Sequence, residues 1–217
     1  MSGIMLNVVG GTFAPSVPTV IGQAFGGGYY AGQIGVSSVA THYIIVGPVA
    51  SAQSTLTWKN ANTATPGADS VIDGPQNTAD MVADGNSTVY PCAHFCNDLV
   101  TGGQTDWYMP AKNELEICYF NLKPTTNINN TADGINPNAV PARASNYTNS
   151  PQVPNQTSAA NFITSTGAEA FTTNFYWSST ESSSTNAWGG FFSDGDQYNG
   201  YTKSGSYRVR AIRRVAV

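Results

Sequence analysis

Few residues in this chain are equipped for chemistry. It has three cysteines, Cys92, Cys96 and Cys118, and two histidines, His42 and His94. Cys92, His94 and Cys96 fall together in "CAHFC", which invites a metal reading. Zinc takes four ligands, typically from paired Cys spacings, and His42 and Cys118 come from distant segments. Buried thiols are the better reading, and an odd cysteine count argues against a disulfide scaffold. A Ser-His-Asp triad would have to use one of the two histidines. Neither lies beside a G-x-S-x-G elbow, and His94 falls inside a predicted helix. Glu114 and Glu116 are two apart on a predicted helix and face different ways. Asp194 and Asp196 flank Gly195 in a turn, where Asp and Gly serve the backbone. They match positions 1 and 3 of a calcium loop, but position 12, which needs Glu, is Gly205. The glycine-rich stretches lack the Lys-Ser/Thr of a phosphate loop. No catalytic residue, metal or cofactor is expected.

Recognition fits better. Trp177 and Trp188 bracket a hydroxyl-rich loop, and Trp107, Trp177, Trp188, Leu115 and Val209 are expected to form the frame and core. The loop offers Glu181, Ser182, Ser183, Ser184 and Asn186. A second tip offers Gln197, Tyr198, Asn199, Tyr201 and Lys203. Tyrosine, serine, glycine and asparagine suit adaptable contact loops; an ordinary solvated hairpin would have the same composition. Arg208, Arg210, Arg213 and Arg214 crowd the C-terminal end. Arginines alternating along a strand usually pack their stems and pair with carboxylates; a small anion site is the alternative.

The elements must position these loops. Residues are 41% hydrophobic but only 10% charged, against roughly 25% in ordinary soluble domains. Asn, Ser, Thr and Gly make the surface polar and uncharged. The net charge of −4 disfavours nucleic acid, whose binding relies on phosphate neutralisation. No stretch is long and apolar enough to insert into a membrane, and no signal peptide is recognisable. Residues 1–24 read as an attachment or oligomerisation arm, and 25–217 as one domain. Strands are predicted at about 29–36, 42–46, 175–179, 187–192 and 207–215, with a short one around Trp58. Residues 60–84 read as turn-rich. Helices are predicted over 91–99 and 110–122, each with its proline at the first helical position. Residues 125–158 read as an irregular insertion, functional or mobile.

Three stretches carry a resemblance: "DWYMPAKNELEICYFNLKP", "YWSSTESSSTNAWGGFF" and "YRVRAIRRV". They resemble the C-terminal domain shared by the Legionella collagen-like protein and many phage tail-fibre proteins. "AFGGGYYAGQI" is similar to the segment that precedes this domain in phage tails. The resemblance implies an α+β, C-type-lectin-like fold, with two helices on small antiparallel sheets. It implies a virion tail protein that adsorbs to a bacterial surface glycan or outer-membrane protein, commonly as a trimer. The arm would join other tail proteins, and the chain would be made in the host cytoplasm. A brace between virion subunits and an enzyme acting on polysaccharide are the alternatives. The family often has Arg and Thr where this chain has Tyr108 and Ala111, so Pro110 and Glu114 are expected to hold that helix start. The calcium-sugar signature of true lectins is absent, as is the late cysteine pair of the related formylglycine-generating enzymes.

Overall fold

A computed structural model describes residues 17–217; the first sixteen residues of the expected arm lie outside the described residues. The fold is α+β. In chain order the strands are β1 (Ala24–Phe25), β2 (Gly28–Val36), β3 (Val39–Val46), β4 (Gln53–Thr57), β5 (Thr148–Asn149), β6 (Gln152–Val153), β7 (Phe175–Glu181), β8 (Ala187–Phe191), β9 (Gln197–Tyr198), β10 (Ser206–Arg210) and β11 (Ile212–Ala216). The helices are α1 (Val49–Ala52), α2 (Gly74–Asp84), α3 (Pro91–Asn97) and α4 (Lys112–Leu122). One sheet runs β1-β2-β3-β11, a second runs β4-β10-β7-β8-β9, and β5 pairs with β6 in a small hairpin.

Both large sheets pack core on two faces, so consecutive residues of an inner strand are buried together, as at 43–46 on β3 and 175–180 on β7. Along β3, Ile45 joins one core cluster while Ile44 and Val46 join the other. Along β7, Phe175 and Trp177 face the first cluster and Tyr176 the second. The first cluster holds Trp58, Tyr90, Trp107, Val209 and residues of α2 and α3. The second holds the inner face of α4, with Leu115, Ile117, Cys118 and Leu122.

Several expectations are corrected. The second sheet is mixed, because β10 runs parallel to β7. The C-terminal strand is two strands: it breaks at Ala211, whose N–H goes to Ala52 O at 2.8 Å and whose C=O takes the Gly47 N–H at 3.0 Å. β10 therefore belongs to one sheet and β11 to the other, and this crossing ties the sheets together. α2 lies inside the stretch read as turns. Asp73 caps it by accepting the Gln76 N–H at 3.3 Å, as an Asp N-cap should. Its inward face is Asn77, Thr78 and Met81, too polar for a hydrophobic stripe to signal it. α3 ends at Asn97. α4 starts at Lys112 after Ala111 as N-cap, so Pro110 lies before the cap. Glu114 accepts the Ala111 N–H at 2.8 Å, half of a capping box.

The insertion is anchored rather than loose. Asn129, Asn136 and Tyr147 are buried. Asn136 donates to Asn113 O at 2.9 Å and accepts from the N–H groups of Asn138 and Ala139 at 3.0 and 3.1 Å. One amide thereby replaces several missing backbone bonds, which is how a segment without regular structure satisfies its buried polar groups. The three cysteines are free and buried, and burial raises each thiol pKa above its usual range.

The C-terminal arginines mostly pair. Arg210 meets Glu169 at 2.9 Å, Arg213 meets Asp106 at 2.6 Å and Arg214 meets Glu114 at 2.7 Å. Of the expected core, Trp107, Trp177, Leu115 and Val209 are buried. Trp188 is only half-buried, with the Lys112 ammonium 4.4 Å from its ring centroid. Its neighbours on β8 alternate in burial, and its side chain falls on the outer phase of a half-covered strand. Trp58 takes the inner place: it is fully buried, and its indole N–H goes to Ser178 O at 2.8 Å.

Candidate functional site

Two loops named from the sequence come together beside the end of β7. The first, residues 181–186, starts at the last residue of β7. Ser182 and Ser183 N–H both go to Asn186 O, at 3.0 and 3.2 Å, and Asn186 N–H returns to Ser183 Oγ at 3.1 Å. Short serine and asparagine side chains form such local bonds readily, which is why they occupy turns. The second loop follows β9. Ser182 Oγ donates to Asn199 O at 3.0 Å, and Ala187 N–H goes to Tyr201 O at 3.3 Å. Asn186 also pairs with Thr202 in an isolated bridge. The loops thus brace each other. Ser183, Ser184, Tyr198 and Asn199 are exposed, and Ser182, Asn186, Gln197 and Tyr201 half-buried.

Lys203 is a correction. The sequence suggested a contact residue; the structure buries it fully. Its ammonium donates to Thr63 O at 2.8 Å and Ser184 O at 3.1 Å, lies 3.0 Å from Glu181 Oε2, and sits 4.9 Å from the Trp58 ring centroid. Its own backbone N–H goes to Thr185 O at 3.0 Å. Burial pulls the ammonium pKa below its usual value, and Glu181 pulls it back up. Glu181 is committed as well, since Oε2 accepts the Thr65 N–H at 2.7 Å. Both are fastenings beneath the loops. A buried charge persists only when paired and hydrogen-bonded, and a surface-loop lysine gives no sequence sign of this.

Next to the second loop lies an open groove of about 440 Å³. It forms where β7 and β10, parallel neighbours, pair only at Arg208 and Tyr176. The residues before that point, Asn174 and Phe175 at the start of β7 and Ser206 and Tyr207 on β10, are among its lining residues. The aromatic floor is continuous with the loop. Tyr201 stacks on Tyr207 at 4.3 Å, meets Phe175 edge-on at 4.8 Å, and meets Tyr198 at 4.9 Å. Burial raises the Tyr207 phenol pKa, and Tyr201 raises it further. Thr55, Thr173, Asn174 and Ser206 add exposed hydroxyl and amide groups, and Arg208 is among the lining residues. Sequence reasoning missed this groove because its walls come from strands distant in the chain. The one available signal was the polar "TTN" directly before "FYW". The insertion contributes to the tip through Asp133, whose Oδ2 accepts the Gln197 N–H at 3.2 Å.

The buried carboxylates are occupied. Glu114 is held by Arg214, the Tyr108 hydroxyl and the Ala111 N–H. Glu116 is held by Arg143, the Tyr147 hydroxyl and Asn136. Among the described residues no group of three or more His, Cys, Asp or Glu is placed to hold a metal ion, and no helix is long and apolar enough to cross a membrane.

No curated protein matches the chain significantly. Among solved structures, a fimbrial protein from Bacteroides ovatus ATCC 8483 is similar over 81% of this chain, at 14% identity and a TM-score of 0.47. That match spans only 36% of the fimbrial protein's length. A family model, the Lcl C-terminal domain, matches residues 47–213, which run from the end of β3 into β11 and include both loops and the groove. The chain belongs to the Lcl C-terminal domain family.

Proposed function

We propose that this chain is a non-enzymatic recognition component of a phage tail fibre or tail tip, and that its C-type-lectin-like loops bind a bacterial surface. The observation that carries the reading is the paired loops: an uncharged rim, bonded to itself and fastened from below by Lys203, beside an open aromatic groove. Such a surface loses little conformational freedom on binding, because its polar groups are already held in place. The ligand is a surface glycan or an outer-membrane protein. A single shallow face binds weakly, and a trimer presenting three copies multiplies the effective affinity without new contacts. The N-terminal arm joins the domain to other tail proteins. Occupied carboxylates fit this role, since Glu114 and Glu116 hold α4 to its neighbours.

The test is adsorption. Purified protein is mixed with a panel of bacterial strains and the cell-bound fraction measured, alongside Tyr198→Ala and Asn199→Ala variants. Binding to a subset of strains, lost in the variants, supports the proposal. Absence of binding to every strain, or release of reducing sugar from strain polysaccharide, counts against it.

A further inference from the structure

We propose that Lys123 and Asn129 close an isopeptide bond, the lysine amine displacing the Asn129 side-chain nitrogen as ammonia. The bond pins the 125–158 insertion to the end of α4, whatever the rim binds.

The starting observation is a contrast among three buried lysines. Lys59 and Lys203 each have a carboxylate within ion-pair distance, Asp84 and Glu181. A buried ammonium normally needs such a partner. Lys123, just past the end of α4, is fully buried, yet its acceptors are neutral carbonyls: Asn129 Oδ1 at 2.6 Å, Pro154 O at 3.3 Å and Asn127 O. A carbonyl bond is about 1.23 Å long, so Nζ lies within about 3.8 Å of the Asn129 amide carbon. The Tyr119 hydroxyl donates to the same amide oxygen at 2.9 Å and polarises the carbonyl. The nitrogen that must leave is held too, since Nδ2 donates to Thr148 O at 3.1 Å and to Pro154 O at 3.0 Å. Asn129 is itself buried, so the amide is fixed beside the amine.

The chemistry balances within the chain. Burial pulls the Lys123 pKa down to about 8, with Asp194 pulling it back up, so mildly alkaline solution populates the neutral amine. A desolvated lysine amine is a nucleophile. Once the ammonium has given a proton to solvent, Nζ adds to Asn129 Cγ and the carbonyl electron pair moves to Oδ1, beside the Tyr119 hydroxyl. One Nζ proton then passes to Nδ2; Asp194, whose charge acts on both Lys123 and Tyr119, is the base at hand. The Cγ–Nδ2 bond breaks, ammonia leaves, and the Nζ–Cγ amide remains. One carbon–nitrogen bond replaces another, with no oxidant or further reactant. Fixed geometry supplies what the same exchange between free molecules lacks, and burial keeps water from competing. Freshly folded protein carries the free lysine, and the bond accrues on standing.

The experiment is intact-mass spectrometry of purified wild type, Lys123→Met and Tyr119→Phe, held for several days at pH 7 and at pH 9. Wild type is expected to lose the mass of one ammonia, about tenfold faster at pH 9 than at pH 7, the ratio of amine fractions around a pKa of about 8. In the tryptic peptide 113–143 the loss should map to a closed loop from Lys123 to Asn129, with no backbone fragments between them. Lys123→Met should keep its full mass, and Tyr119→Phe, which retains the ring, should react more slowly by about tenfold or more. Full mass in wild type after the pH 9 incubation overturns the proposal, whether or not the variants fold. So does an ammonia loss that persists in Lys123→Met or maps to another asparagine, which is succinimide formation. A Tyr119→Phe rate equal to that of wild type also contradicts it, since the amide would then react without the hydroxyl that polarises it.

Discussion

The ammonium of Lys203 lies 3.0 Å from Glu181 Oε2, beneath the two loops that Ser182 and Asn199 join above. One buried pair therefore fixes both ends of the exposed rim: Glu181 closes β7, and Lys203 follows the second loop.

Lys203→Met tests this fastening. It leaves the Glu181 carboxylate without its counter-charge and removes donors from Thr63 O and Ser184 O. Breaking one side of a buried pair costs about 3 kcal/mol or more. Chemical denaturation should show that loss, and hydrogen exchange should speed up at residues 183–186. A loss below about 1 kcal/mol would mean the pair is solvated and the rim is held by its own bonds.

The two fully buried tryptophans of the sheet core should respond differently to the same change. Trp58 donates to Ser178 O at 2.8 Å, whereas the Trp177 indole N–H has no partner among the described residues. Both Phe variants lose volume. Trp58→Phe also leaves a buried carbonyl unsatisfied, worth about 1–3 kcal/mol more. Denaturation midpoints should rank Trp58→Phe as the less stable, and the opposite order would contradict the assignment.

How much of this was legible in the sequence depends on where each signal resides. Strands β2, β3 and β7 announced themselves through apolar and β-branched runs. The starts of α3 and α4 were marked by Pro91 and Pro110, to within a residue or two. α2 was hidden because Asn77 and Thr78 face inward, bonded to Ser70 and Gly74. The break at Ala211 was hidden because both halves of "YRVRAIRRV" are good strand sequence; only the tertiary partners Ala52 and Gly47 separate them. For the site, loop composition pointed to the rim. Lys203 and Glu181 read as contacts because ion pairing between distant residues leaves no local pattern, and the groove exists only once β7 and β10 are adjacent.

Tyr198 and Tyr201 should part company on mutation. Tyr198 is 40% exposed, so Tyr198→Ala should weaken surface binding with the melting temperature little changed. Tyr201 packs against Phe175 and Tyr207. Tyr201→Ala should therefore lower stability by about 2–4 kcal/mol as well as binding. Equal melting temperatures would mean that Tyr201 is not part of the floor.

Lys123 should give the protein a distinctive alkaline response. Its buried ammonium donates to Asn129 Oδ1 at 2.6 Å and Pro154 O at 3.3 Å. Burial pulls its pKa from 10.5 down to about 8, against the opposing pull of Asp194. The folded chain thus sheds a proton that the unfolded chain keeps between about pH 8 and 10.5. In that window this group makes stability rise with pH, and below it the cost of burying the charge is present in full. Subtracting the Lys123→Met melt from that of wild type removes other titrations. The difference should move in favour of wild type from pH 7 to pH 9.5, and a constant difference would contradict the placement.

The central claim is that the fastened rim is a docking face, and a glycan array of bacterial surface polysaccharides tests it most directly. Wild type is expected to bind a defined subset of polysaccharides, and Tyr198→Ala to lose those signals at an unchanged melting temperature. Binding by the variant equal to wild type, or no binding by wild type to any polysaccharide or intact cell, would contradict it.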